Sequence, residues 1–80
     1  MMRIAKKTNL SPAEVVKTAA EFFVAGYGLK VKEQTPTCVY LEGGGGRVDV
    51  TTCAEAKGSE VEVVSQGWDY QAKEFLSKLR

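Results

Sequence analysis

Cys38 and Cys53 are the chain's only cysteines, and fourteen residues lie between them. That spacing excludes a CxxC redox or zinc motif, and two thiolates alone leave a tetrahedral zinc site incomplete. The chain has no histidine. This removes the commonest general base, the usual partner of a nucleophilic serine or cysteine, and a leading zinc ligand. A reactive thiol needs a depressed pKa, and Arg47 and Lys57 are the cations placed to supply it. The expectation is two free thiols in a reducing compartment, with no catalytic residue, no metal and no cofactor.

Gly43, Gly44, Gly45 and Gly46 form an unbroken run. A phosphate-binding loop needs Gly-x-x-x-x-Gly-Lys followed by Ser or Thr and leads into a helix. Here Arg47 and a strand-forming stretch follow, so the run predicts a hairpin turn, where residues must adopt positive φ. Carboxylates Glu42, Asp49, Glu60 and Glu62 interleave with Arg47, Lys32 and Thr51. Cross-strand opposite charges of this kind solubilise an open sheet face, whereas acid-base pairs need concave, desolvated sites.

Tyr40, Val64 and Tyr70 add apolar surface among those charges. Sheets that stack nucleic-acid bases also carry a basic surround and a recognisable RNP sequence, and both are missing. The patch around Tyr40, Arg47, Asp49 and Val64 therefore reads as a contact surface for a protein partner or a homodimer, where Tyr is favoured and charge is mixed. The edge strand Leu29 to Gln34 is another contact site, although its Lys30 and Lys32 oppose strand pairing. The alternative function is a small apolar-ligand carrier, with Phe22, Tyr27 and Trp68 lining a pocket between helices and sheet. A solid core with Trp68 as its largest contributor is the simpler expectation for those three.

The elements that position these residues follow from periodicity. In Leu10-Ser11-Pro12-Ala13-Glu14-Val15, Ser11 reads as an N-cap, Pro12 as the first helical residue, Glu14 as the far side of a capping box, and Leu10 with Val15 as a hydrophobic staple. Val15, Val16, Ala19, Phe22 and Phe23 then recur at helical spacing, and Gly26 or Gly28 ends the helix. Period two follows in Leu29 to Gln34, Cys38 to Glu42, Arg47 to Cys53 and Glu60 to Gln66, with Thr35-Pro36-Thr37 and Ala54 to Ser59 between strands. Trp68, Ala72, Phe75, Leu76 and Leu79 return to helical spacing. Pairing Glu42 with Arg47, Tyr40 with Asp49 and Cys38 with Thr51 leaves Val39, Leu41, Val48 and Val50 on one apolar face, which Val61 and Val63 join. Cys38 and Cys53 then sit diagonally, a poor geometry for a disulfide. The predicted fold is an α+β two-layer sandwich: a four-stranded antiparallel meander with an N-terminal and a C-terminal helix on one face, in the order α-β-β-β-β-α.

Eighty residues support one core. Hydrophobic residues at 44% and charged residues at 26% indicate a globular chain. Residues 10–80 are expected to form the domain, and residues 1–9, carrying Arg3, Lys6 and Lys7, a flexible basic segment. A formal net charge of +1 supplies no field for nucleic acid or anionic lipid. No apolar run reaches the roughly 20 residues of a membrane span, and none follows the basic N-terminus as in a signal peptide. A cytoplasmic protein is expected.

Overall fold

The computed structural model describes residues 1–79 as strand β1 (Met2–Thr8), helix α1 (Pro12–Tyr27), strands β2 (Lys30–Gln34), β3 (Cys38–Gly43), β4 (Gly46–Glu55) and β5 (Gly58–Gln66), and helix α2 (Asp69–Lys78). The chain is a small α+β protein with one antiparallel sheet in the order β1-β5-β4-β3-β2. Neither helix is long and apolar enough to cross a membrane.

Five strands stand where the sequence predicts four. The difference is β1: Met2 to Thr8, expected to be flexible, pair antiparallel with β5. Two features of β1 hide this from a periodicity reading. Its apolar side chains are few, and Lys6 occupies a position on the core side. Its ammonium donates to the carbonyls of Leu76, at 2.7 Å, and Leu79, at 3.0 Å, so one cation sits at the negative end of α2, where the Leu76 carbonyl also accepts from the Leu79 amide. The aliphatic stem is covered while the charged head is hydrogen-bonded.

The start of α1 follows its sequence. Ser11 is the N-cap: its Oγ accepts from the Glu14 amide, and the Glu14 carboxylate accepts from the Ser11 amide, both at 3.3 Å. Gly28, with φ 72°, closes the helix, and the amides of Gly28 and Leu29 reach the carbonyls of Val24 and Phe23. Ser11→Ala removes the cap acceptor and is expected to cost about 1 kcal/mol, measured as a lower urea midpoint with an unchanged denaturant slope.

The predicted register of β3 and β4 is the observed one: Glu42 faces Arg47, Tyr40 faces Asp49, and Cys38 faces Thr51. In β5, Val61 and Val63 join Val39, Leu41, Val48 and Val50 in a single buried cluster with Val15, Val16, Ala19 and Phe23 of α1 and Ala72, Phe75 and Leu76 of α2. Ser59 and Ser65 share that parity and are buried too. Each has a partner near a helix start: Ser59 Oγ donates to the Leu10 carbonyl at 2.8 Å, and Ser65 Oγ to Asp69 Oδ1 at 2.7 Å. These bonds offset the desolvation of the hydroxyls and tie both helices to β5.

The core is centred on Phe23 and Phe75, the largest fully buried side chains. Trp68, expected as its main contributor, is only partly buried. Its indole lies against the β3–β4 hairpin, and its Nε1–H donates to the Gly43 carbonyl at 2.9 Å.

Candidate functional site

The open face of the sheet is laid out by the alternation that fills the core. Its central row crosses all five strands: Glu33 of β2, Tyr40 of β3, Asp49 of β4, Val64 of β5 and Arg3 of β1. A second row runs Lys30, Glu42, Arg47 and Gln66, and a third runs Cys38, Thr51, Glu62 and Ala5. Tyr40, Asp49 and Val64 are therefore direct cross-strand neighbours, and Arg47 lies beside Asp49 with 3.4 Å between its guanidinium and the carboxylate. All four residues singled out in the sequence meet on one surface. Tyr40, Asp49, Val64, Cys38, Thr51 and Glu62 are half-buried although no element covers them. They shield one another, so the centre of the face is already partly desolvated, which lowers the cost of covering it.

A shallow hollow of about 290 Å³ opens beside this row, lined by Lys32, Glu33, Tyr40, Leu41, Glu42, Arg47 and Asp49. At its β2 side the register shifts between Val31 and Glu33. One residue of β2 is extra at that point, which bends the strand locally and re-aims side chains. Lys32, expected on this face, lines the hollow, and Glu33 joins it opposite Tyr40 through the bulge, which alternation alone cannot reveal. Arg3 joins the open face through β1.

Cys38 and Cys53 are free thiols. Cys38 lies next to Tyr40 on the open face, and its pKa is lowered, first by hydrogen bonding with the Thr37 hydroxyl and further by Thr35 and Tyr40, against an opposing effect of burial. Hydroxyl donors act here where Arg47 and Lys57 were expected to. The Tyr40 phenol is pushed up in turn, chiefly by its hydrogen bond to Cys38. The described residues contain no group of three or more metal-ligating side chains.

Phe22, Tyr27 and Trp68 are brought together as well, but in contact with one another. The Tyr27 ring lies 5.5 Å from Phe22 and 5.9 Å from Trp68 between centroids, and Phe22 packs at 5.0 Å from Phe23 and 5.8 Å from Phe75. The Tyr27 hydroxyl donates to Glu74 at 2.5 Å, linking α1 to α2. This aromatic line joins the two helices to the hairpin. Trp68→Phe keeps a ring over the hairpin but removes the N–H bonded to Gly43. The expected loss is roughly 1–2 kcal/mol, with faster amide exchange confined first to the β3–β4 turn.

The chain matches no protein-family model, no curated protein and no solved structure.

Proposed function

We propose that this chain is a non-catalytic interaction module, built as a two-layer sandwich, that meets a protein partner or its own copy through the open sheet face. One observation carries it: the Tyr40–Asp49–Val64 row is half-buried with nothing over it, and is framed by paired opposite charges such as Arg47 with Asp49. A surface that sets Tyr40 and Val64 among mixed charges suits a protein contact, where Tyr is favoured. Two free thiols support a reducing, cytoplasmic setting. The carrier alternative draws no support from Phe22, Tyr27 and Trp68, which pack on one another.

Native mass spectrometry of the protein, purified gently from its own host, tests the proposal. The expected result is a dimer or a complex of defined mass that is lost in the Tyr40→Ser, Val64→Asp double variant while circular dichroism stays unchanged. A complex that survives the double variant, or a monomer carrying a stoichiometric small molecule, counts against it.

A further inference from the structure

The two edges of the sheet are not equivalent. At one edge, β2 is five residues long, exposed throughout and interrupted by the bulge at Val31 and Glu33. Short length, a bulge and lysines are devices that block strand addition. At the other edge, β1 is seven residues long and pairs with β5 in seven consecutive steps without a shift. It contains no proline, and alternate residues of an edge strand present their N–H and C=O groups outward. Met2 and Ile4 pack on the core from this edge yet remain only half-buried, so apolar surface is left to cover.

The charge on β1 selects what can be added. Arg3, Lys6 and Lys7 are its charged residues, and Lys6 is engaged by the end of α2. Arg3 and Lys7 both lie on the open-face side, with side chains 71% and 74% exposed. Each has one carboxylate on its inner flank, Glu62 for Arg3 and Glu55 for Lys7, at a loose 4.0 Å, and Lys7 also stands opposite Glu60. Their outer flank has no strand. A second copy is a poor fit, because β1 against β1 sets basic residues together, and β2 offers Arg3 and Lys7 one carboxylate, Glu33, beside Lys30 and Lys32 on a strand whose ladder the bulge interrupts.

We infer that β1 is a docking edge for an acidic, extended segment of a partner protein, added as a sixth antiparallel strand. Carboxylates four residues apart on the incoming strand meet Arg3 and Lys7, and its alternate apolar residues cover Met2 and Ile4. Main-chain hydrogen bonds give the affinity in such strand addition, and the alternating side chains give the specificity. This surface is distinct from the Tyr40–Val64 row, and the two stand or fall separately.

The test uses the full chain, labelled with nitrogen-15, and a blocked seven-residue peptide alternating valine with glutamate or threonine, its glutamates four apart. The control peptide carries lysine in place of glutamate. At millimolar glutamate peptide, β1 amide exchange is expected to slow roughly tenfold, with the lysine peptide binding at least about tenfold more weakly. The Arg3→Gln, Lys7→Gln double variant removes both cations without setting like charges against Glu62, Glu55 and Glu60, and is expected to abolish the preference for the glutamate peptide. The inference is overturned if neither peptide alters β1, if both bind alike, or if the shifts fall on β2 or on Tyr40 and Val64 instead.

Discussion

Phe23→Ala is expected to destabilise the protein by about 3–5 kcal/mol. Phe23 is fully buried, its ring 5.0 Å from Phe22 and 5.6 Å from Phe75 between centroids. It is thus the point at which α1 meets α2 within the cluster that also holds Val39, Leu41, Val48 and Val50. Truncation removes the buried ring and leaves a cavity that rigid strands on one side cannot collapse into. A chain of 80 residues has a total stability of only roughly 4–12 kcal/mol, so the substitution takes about a quarter or more of it. Phe23→Leu keeps most of the volume and is expected to cost about 1–2 kcal/mol, which gives a folded variant to measure if the alanine form does not fold. Urea unfolding followed by far-ultraviolet circular dichroism reads both. A loss below about 1 kcal/mol for Phe23→Ala contradicts a core centred on this ring.

Gly46→Ala is expected to cost about 2–3 kcal/mol, near the upper end for an overpacked site. A Cβ at Gly46 would run into the carbonyl oxygen of Gln66 and come within 3.1 Å of Trp68 Cδ1. The carbonyl belongs to the neighbouring strand, so relief requires β4 and β5 to separate at the end where Trp68 is seated. Gly45→Ala tests a different cause. There a Cβ meets open space, but φ is 79°, so only left-handed strain of about 1 kcal/mol is added. The expected order is Gly46→Ala worse than Gly45→Ala. The reverse order would mean that turn conformation, and not the close approach of β4 to β5, fixes the glycines. The run thus has two physical origins: positive φ at Gly44 and Gly45 for a two-residue hairpin, and close contact at Gly46.

Much of the architecture is legible because single residues carry unambiguous local physics. Ser11, Pro12 and Glu14 can mark little but a helix start. The glycine run fixes one hairpin, and once Glu42 is opposite Arg47, period two settles which residues of β3, β4 and β5 face the core. Tyr40, Asp49 and Val64 could be placed on one surface for that reason. What was not legible depends on partners distant in sequence. Lys6 sits on the core side of β1 only because the carbonyls of Leu76 and Leu79 receive it, and no periodicity shows that. Glu33 reaches the open face through a bulge, a one-residue slip that inverts the parity from which faces are read. Size alone points Trp68 to the core, whereas its N–H has a partner at the hairpin, and a partly buried indole favours positions where that bond can form.

The open face contains its own reporter. Cys38 is half-buried beside Tyr40, while Cys53 is exposed farther along the same strand array, and the Cys38 pKa is lowered by its hydrogen bond with the Thr37 hydroxyl, which raises the thiolate fraction that alkylation needs. The most direct measurement is the iodoacetamide reaction rate of each thiol, read by peptide mass spectrometry, in the isolated complex and in the free monomer. A face that serves as the contact surface predicts a Cys38 rate lower by on the order of tenfold in the complex, since reaction depends on access, and restored on dissociation. A Cys38 that reacts equally fast in complex and monomer contradicts the assignment of this face.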